Sequence, residues 1–246
     1  MRRQAGTERR IPFLIIAHRG ASAAAPESTR AAIREAARAG ADMVEFDVQM
    51  TRDGRLVVFH DDRVERTTDG KGRLTAMRYR ELARLDAGSW FHPRFAGERI
   101  LLLSQAVRLV PERMGINLEL KRTARRRPLL RRLIRVAHRE RLGQRLLVSS
   151  FDGSLLRPLR SVGLSLALIC RTNADRSLQQ AIRLRCDAWH PFHALVTRRR
   201  IAAAHAAGLR VHAWTVESRA SARTLARWGI DGVFTNHPAR LRGAGG

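Results

Sequence analysis

The first residues able to do chemistry lie in a short alternating segment, 43–48. From Val44 to Gln49 apolar and polar side chains alternate, which is the period-2 pattern of a β-strand. Glu45 and Asp47 therefore point to the same face, roughly 6.5–7 Å apart along the strand. Two carboxylates this close repel each other unless a cation lies between them. The pair therefore indicates a cation-binding site.

A turn and a histidine follow this segment directly. Residues 52–55, Arg-Asp-Gly-Arg, predict a tight turn. Residues 56–59 then return as a second short strand, and so short a connection permits only antiparallel pairing. The return brings His60 toward the level of the two carboxylates.

Two further predicted strands bring ionisable residues. Strand one, 12–17, ends directly before His18 and Arg19. Strand three, 116–121, contains Glu119 and Lys121, which share a face because they are two positions apart. Such polar residues inside apolar strands are costly without a partner. We therefore expect them to meet in one site.

The residue types define the chemistry of such a site. Three carboxylates, Glu45, Asp47 and Glu119, suit a hard divalent cation, Mg²⁺ or Ca²⁺, better than zinc. Arg19 and Lys121 remain to bind an anion, and a guanidinium matches phosphate geometry. Two histidines can serve as general acid and base near neutral pH, in either order. Together these groups could cleave a phosphodiester.

The remaining chain supplies the elements that position these residues. From residue 116 onward, predicted strands alternate regularly with predicted helices. Over the whole chain this gives eight strands alternating with helices, which is typical of a parallel α/β protein. The count favours a closed (β/α)8 TIM barrel, whose catalytic residues lie at the carboxyl ends of the strands. Residues 61–99 carry turn chemistry and predict a small insertion after strand two. We expect a barrel over 11–242, preceded by a basic tail at 1–10.

Composition limits the class of protein. The 246 residues carry 47 basic and 22 acidic side chains, for a net charge of +25. Such a balance suggests anionic partners, but 45 of the 47 are arginine, which indicates coding bias from a GC-rich genome. Cys170 and Cys186 predict buried thiols rather than a disulfide framework. The apolar run 11–17 is too short for a membrane span and leads into the first strand, so we expect a cytoplasmic protein.

The motifs in chain order resemble the glycerophosphodiester phosphodiesterases. The resemblance covers about residues 14–240 and is carried by the following segments: Ile-Ala-His-Arg-Gly at 16–20, Pro-Glu-Ser-Thr at 26–29, Val-Glu-Phe-Asp-Val at 44–48, Val-Phe-His-Asp at 58–61, Arg-Thr-Thr at 66–68, Asn-Leu-Glu-Leu-Lys at 117–121, Ser-Phe at 150–151, Trp-Thr-Val at 214–216 and Asp-Gly-Val at 231–233. It implies a barrel with a small insertion after strand two. The expected reaction is metal-dependent hydrolysis of glycerophosphodiesters to sn-glycerol 3-phosphate and an alcohol.

The resemblance also implies roles for individual residues. Those matching Glu45, Asp47 and Glu119 bind the metal, those matching His18 and His60 are acid and base, and those matching Arg19 and Lys121 hold the phosphate. The chain departs from the family at Ser28 and Glu217, where asparagine is usual or frequent. We expect Ser28 to cap the following helix and Glu217 to affect the preference for the alcohol.

Several alternatives remain open from the sequence. Trp214 is a candidate substrate-binding wall or a packing residue, and substrate contact is open for His92, His190, His193 and His237. Cleavage of lysolipids, as by a lysophospholipase D, needs an apolar surface at the barrel mouth, for which Trp90, Phe91 and Phe95 are candidates. A basic nucleic-acid-binding protein is the non-enzyme alternative, but aromatic residues are only 5% of the chain and no such motif is present. We expect a small-molecule substrate and no specific nucleic acid; the oligomeric state stays open.

Overall fold

A computed structural model describes residues 13–245 of the chain. The predicted basic tail at 1–10 lies outside the described residues. The domain limits of 11–242 therefore remain a prediction, although the described residues from the first strand onward belong to one barrel.

The described residues form nine strands, of which eight close into a parallel barrel. Each barrel strand pairs with its neighbours in the order β1-β2-β4-β5-β6-β7-β8-β9, and β9 pairs with β1 to close the ring. The ninth strand, β3, runs antiparallel to the end of β2. The bounds are β1 Leu14–Ala17, β2 Met43–Met50, β3 Leu56–Val58, β4 Gly115–Leu120, β5 Leu146–Ser150, β6 Ser165–Cys170, β7 Ala188–Pro191, β8 Arg210–Ala213 and β9 Gly232–Thr235. The predicted TIM barrel is confirmed.

Helices surround the barrel and follow the strands, as the right-handed crossover of parallel strands requires. Their bounds are α1 Arg30–Arg38, α2 Tyr79–Leu82, α3 Leu103–Leu109, α4 Arg126–Arg139, α5 Gly153–Arg160, α6 Ala174–Arg183, α7 Arg198–Ala206, α8 Arg219–Arg227 and α9 Pro238–Leu241. Polar N-caps start several of them; the Asp152 side chain, for example, accepts a hydrogen bond from the Ser154 N–H at the start of α5.

The main core lies between the outer face of the barrel and the helices. Val44, Phe46 and Val48 of β2 are fully buried in it, so the alternate residues of β2 face the barrel interior. The interior is unusually polar: buried there are Glu45, Asp47, Asn117, Ser149, His190 and His212. Since buried polar groups are costly without partners, this interior indicates a functional centre.

The segment after β3 forms the predicted insertion. It consists of short helical turns and loops around a second hydrophobic cluster, made of Val57, Phe59, Val64, Leu74, Leu82, Ala87 and Ile100. This cluster is packed against the hairpin of β2 and β3. The insertion therefore lies beside the strand end from which His60 emerges.

The sequence pattern predicts a helix near 104–112, a strand over 211–216 and a cap at Ser28, and the structure differs from each. Helix α3 ends at Leu109, because Pro111 follows and disfavours continuation of the helix. Strand β8 ends at Ala213, so Trp214 lies beyond the strand. Thr29, not Ser28, caps α1 by accepting a hydrogen bond from the Ala32 N–H.

Candidate active site at the carboxyl ends of the strands

Three carboxylates meet at the carboxyl ends of β2 and β4. The register aligns Asp47 with Glu119 across this pair of strands, and Glu45 shares the inward face of β2. One carboxylate oxygen from each of the three lies within 4.8 Å of the others. Glu45 and Asp47 are 2% and 1% exposed, so their charges are withdrawn from bulk water.

Arg19 and Lys121 lie against this carboxylate cluster. The Nε of Arg19 is 3.0 Å from Oδ2 of Asp47, and the Arg19 backbone N–H donates to Oε2 of Glu45 at 3.0 Å. The Nζ of Lys121 is 2.7 Å from Oδ1 of Asp47 and 2.6 Å from Oε1 of Glu119. Each cation keeps donors for a further partner, since a guanidinium has five N–H groups and an ammonium three.

The pKa values of the three acids are shifted in different directions. Burial, and then the charges of Asp47 and Glu119, raise the pKa of Glu45 well above its usual value. Burial and the charge of Asp47 raise the pKa of Glu119 to about 7. Burial also opposes ionisation of Asp47, but Lys121 and Arg19 outweigh it and lower the pKa of Asp47. The two positive charges of Arg19 and Lys121 therefore neutralise only part of the negative charge that three ionised carboxylates would carry.

The donor set fits a divalent metal ion. Oε1 of Glu45 is buried and accepts no hydrogen bond from any residue in 13–245, and Oδ2 of Asp47 is also left without a well-aligned donor. Buried carboxylate oxygens without partners are rare unless an ion is bound. The three oxygens are hard ligands of the type that Mg²⁺ and Ca²⁺ prefer.

His18 reaches the site from the end of β1 and is held by Asn236. The ring Nδ1 lies 2.7 Å from Oδ1 of Asn236. Because an amide oxygen only accepts, this contact places the proton on Nδ1 and leaves Nε2 free to accept one. Burial, and then the charge of Arg19, lower the pKa of His18 to about 4.

His60 is held by a carboxylate instead. Its Nδ1 lies 2.5 Å from Oδ1 of Asp61. The Nε2 amide of Gln49 lies 3.0, 3.1 and 2.8 Å from the backbone carbonyls of Phe59, His60 and Asp61. Burial lowers the pKa of His60, as do Arg19 and Lys121, whereas Asp47 and Asp61 act in the opposite direction. Gln49 and Asp61 therefore fix both the backbone and the ring.

A cavity of about 1010 Å³ opens from this site along the ends of β4 and β5. His60, Glu119 and Lys121 form its inner end, and Phe151 lines it farther out, with its side chain half exposed. The ring of Phe151 packs edge to face against Trp214 at 5.7 Å. The cavity is large enough for a small organic ligand.

Trp214 and the two departures from the family have defined contacts. The Trp214 Nε1–H donates to the His190 carbonyl at 2.9 Å, and the guanidinium of Arg171 lies 5.9 Å from its ring. Ser28 has a φ of 59°, a left-handed conformation that asparagine adopts more readily than serine, and its buried hydroxyl has no partner within 13–245. Glu217 accepts hydrogen bonds from Thr235 and Asn236 and so supports the end of β9.

The other histidines separate into different environments. His190 is fully buried and lies 3.1 Å, Nε2 to Nδ1, from His212, also buried. His205 lies 2.8 Å from Asp231, and the His92 ring accepts from the Arg94 N–H. None of these rings lines the cavity described above.

Sequence reasoning gave no role to several residues that hold the site. Asp61, Glu27 and Arg66 lie within the segments that carry the family resemblance. Gln49 lies two residues after Asp47 on β2 and therefore shares its inward face. No local sequence pattern indicates a role for Asn236, because its partner His18 lies 218 residues earlier in the chain. Among residues 13–245, no helix is both long enough and apolar enough to cross a membrane.

Comparisons with known proteins agree with this geometry. The model of the glycerophosphoryl diester phosphodiesterase family matches residues 18–240. A glycerophosphodiester phosphodiesterase of Caldanaerobacter subterraneus is 33% identical over 232 residues, covering 93% of this chain and 96% of the relative. One from Bacillus subtilis is 30% identical over 247 residues, covering 92% and 84%.

A solved structure gives the same result. The Oleispira antarctica phosphodiesterase in complex with the product sn-glycerol-3-phosphate superposes with a TM-score of 0.89 at 31% identity, covering 95% of this chain and 96% of that one. The chain therefore belongs to the glycerophosphoryl diester phosphodiesterase family and is an enzyme built on a TIM barrel.

Proposed function

We propose that the protein hydrolyses glycerophosphodiesters, such as glycerophosphocholine and glycerophosphoethanolamine, to sn-glycerol 3-phosphate and an alcohol. The observation that carries this proposal is the convergence of three carboxylate oxygens within 4.8 Å, flanked by the cations Arg19 and Lys121. The product named for the Oleispira antarctica structure supports the choice of substrate.

The carboxylates and the two cationic side chains have different roles in binding the phosphate. Glu45, Asp47 and Glu119 would hold a divalent cation, Mg²⁺ or Ca²⁺, which when bound supplies positive charge to a phosphoryl oxygen. The Arg19 guanidinium contacts Asp47 and Glu27, and the Lys121 ammonium contacts Asp47 and Glu119. Arg19 and Lys121 bind the other phosphoryl oxygens through the side-chain donors that remain free. These fixed donors stabilise the negative charge that develops on the phosphoryl group in the transition state.

The two histidines take different roles because their partners differ. His18 is held by a neutral amide and has a pKa of about 4, so it is neutral at pH 7 and its Nε2 can accept a proton. Burial lowers the pKa of His60 as well, but Asp47 and Asp61 oppose this shift, and of the two rings His60 is the one in direct contact with a carboxylate, which favours its imidazolium. His60 also lines the cavity. We assign His18 as the general base and His60 as the general acid.

The proton balance of the reaction follows from this assignment. Nε2 of His18 takes the proton of the attacking hydroxyl, which belongs to water or to the glycerol itself. A new P–O bond forms and the P–O bond to the alcohol breaks. His60 gives its Nε2 proton to the departing alcohol oxygen, which leaves through the cavity. Attack by water gives glycerol 3-phosphate directly; attack by the glycerol hydroxyl gives a cyclic phosphate, which water opens in a second step in which His60 takes the proton of water and His18 returns its proton to the glycerol oxygen. Phe151 and Trp214 are proposed as the aromatic wall that the alcohol contacts.

Product analysis tests this function. The chain is incubated with glycerophosphocholine and with glycerophosphoethanolamine, and glycerol 3-phosphate and the free alcohol are both quantified. Equal amounts of the two products support the proposal, whereas glycerol with a phosphorylated alcohol would show cleavage of the wrong bond.

Lysolipid cleavage is the second candidate, since the half-exposed Phe151 gives the cavity an apolar wall. Lysophosphatidylcholine is compared with glycerophosphocholine under the same conditions. We expect a higher kcat/KM for the deacylated substrate; a higher value for the lysolipid would assign the second function. Trp90 is 40% exposed, but neither it, Phe91 nor Phe95 lines the cavity.

We also propose a cytoplasmic location, supported by the inclusion of the apolar residues Leu14–Ala17 in the barrel, where they pair with β2 and β9. Fractionation of cells producing the full chain tests this, and recovery outside the cytoplasmic fraction would contradict it.

A further inference from the structure

Arg66 joins two carboxylates from different loops, Glu27 after β1 and Asp61 after β3. Its Nε lies 2.5 Å from Oδ2 of Asp61. Its two terminal nitrogens donate to both oxygens of Glu27, at 3.0 and 2.7 Å. The guanidinium therefore uses three of its donors in one planar arrangement, which is the geometry that distinguishes arginine from lysine.

Each of these carboxylates also contacts a residue with a proposed role in the reaction. Oδ1 of Asp61 lies 2.5 Å from Nδ1 of His60. Oε1 of Glu27 lies 3.1 Å from a terminal nitrogen of Arg19. A continuous series of charged contacts thus runs from His60 through Asp61, Arg66 and Glu27 to Arg19.

Arg66 itself stays outside the reacting groups. Its side chain is 47% exposed, and its ion pairs are with Glu27 and Asp61 rather than with the three carboxylates of the cluster. Glu27, in contrast, is only 13% exposed, so its charge gains little from water and depends on the two arginines. We therefore expect the effect of Arg66 on catalysis to pass mainly through its contacts to Glu27 and Asp61.

From these contacts we infer that Arg66, a residue of the insertion, is a positioning residue that sets the orientation of His60 and of Arg19 together. The inference rests on the proposed function for its consequence in catalysis. The inference gives the insertion a role in the site. Through Asp61 and Arg66 its first residues connect His60, the proposed acid, to Glu27 and so to Arg19, the proposed phosphate-binding residue. Arg19 keeps its separate contacts to Asp47 and Glu45, so the larger effect falls on His60.

Kinetics of Arg66→Gln and Arg66→Lys test the inference. We expect kcat to fall about 10–100-fold in Arg66→Gln, the usual cost of removing a group that orients an active-site ligand, with KM changed less than kcat. Arg66→Lys keeps the charge but cannot contact Glu27 and Asp61 in the same way, so it should recover only a minor part of kcat. The matched control is Arg63→Gln. Arg63 is exposed, lies in the same segment and, among residues 13–245, forms its ion pair with Glu65 alone.

A double-mutant cycle separates positioning from general damage. Asp61→Asn should cost about as much kcat as Arg66→Gln, and the double variant should cost little more than either. Fully additive losses, a value of kcat within twofold of wild type in Arg66→Gln, or full recovery in Arg66→Lys would each overturn the inference. Unfolding midpoints of all variants check that the loss is not one of folding.

A measurement that needs no turnover keeps this inference separate from the proposed function. The ring ¹⁵N–¹H signals of His60, assigned by their absence in His60→Gln, report the proton on Nδ1. We expect Nδ1 to carry a proton in the wild type whether the ring is neutral or an imidazolium, since Asp61 accepts from it, and the neutral ring of Arg66→Gln to be a mixture of Nδ1- and Nε2-protonated tautomers. Identical ring signals in the two proteins would overturn the positioning role, whereas a wild type that releases no glycerol 3-phosphate would overturn only the proposed function.

Discussion

The ring of His18 is fixed by Asn236, whose Oδ1 lies 2.7 Å from the ring Nδ1 although 218 residues separate the two. His18 follows β1 and Asn236 follows β9, and these strands pair to close the barrel. Closure of the ring therefore determines the tautomer of the proposed general base.

Substituting Asn236 tests this relationship. In Asn236→Asp the carboxylate stabilises the imidazolium, so the pKa of His18 rises above about 4. Since the base must be neutral, the acid limb of the kcat/KM profile moves to higher pH. The measurement is kcat/KM between pH 4 and 9, with the exposed Asn173→Asp as control. An unmoved acid limb would remove His18 from the role of base.

Gln49 is expected to support both stability and catalysis. Its amide is the side-chain donor for the carbonyls around His60, so Gln49→Leu leaves buried acceptors unpaired at a cost of roughly 1–3 kcal/mol. Urea unfolding measures the free energy, and kcat should fall because His60 is displaced. The exposed Gln144→Leu is the matched control; equal stability of the two variants would disagree with the structure.

The buried pair of His190 and His212 makes stability depend on pH. Burial, and then the charge of Arg210, lower the pKa of His212 to about 4, while burial and His212 lower that of His190. The unfolded chain therefore binds more protons below pH 6.5. Stability is fully present above this value and is lost as the pH falls toward 4, by roughly 3 kcal/mol for His212.

Unfolding free energies at pH 7.5, 5.5 and 4.5 check this dependence. His212→Gln should show a shallower decline than the wild type, whereas the exposed His138→Gln should follow the wild type. A wild type equally stable at all three values would contradict the assignment of two neutral buried rings.

Metal binding is predicted in the absence of substrate. Mg²⁺ or Ca²⁺ held by the three carboxylates stabilises the folded chain by about 2.7 kcal/mol at 100 times its Kd. Calorimetric titration and the unfolding midpoint measure this, and Asp47→Asn should abolish both signals. Binding retained in Asp47→Asn would place the ion elsewhere.

Local sequence patterns predicted the elements that position the site. The alternation in β2 predicts that Glu45 and Asp47 share a face, because the period of a strand depends only on neighbouring residues. The barrel also follows from the order of strands and helices along the chain. These features need no knowledge of which distant residues meet.

Other features depend on closure and backbone geometry. The contacts of Asn236 and Arg66 join segments far apart in sequence, so no periodicity predicts them. Ser28 was expected to cap α1, but its φ of 59° places it before the cap, and serine gives no sign of a left-handed conformation. Trp214 lies beyond β8 because that strand ends three residues earlier than the apolar pattern.

The most direct test of the central claim measures glycerol 3-phosphate released from glycerophosphocholine by the wild type, by Glu45→Gln and by the exposed Glu112→Gln. Each is assayed with EDTA and with added Mg²⁺ or Ca²⁺. We expect release by the wild type and Glu112→Gln that EDTA abolishes and a divalent cation restores. Release by Glu45→Gln should be at least a hundredfold slower, because the buried Oε1 of Glu45 is a proposed ligand and accepts no hydrogen bond within residues 13–245. Release that persists in EDTA, or equal release by Glu45→Gln, would contradict a metal-dependent phosphodiesterase centred on these carboxylates.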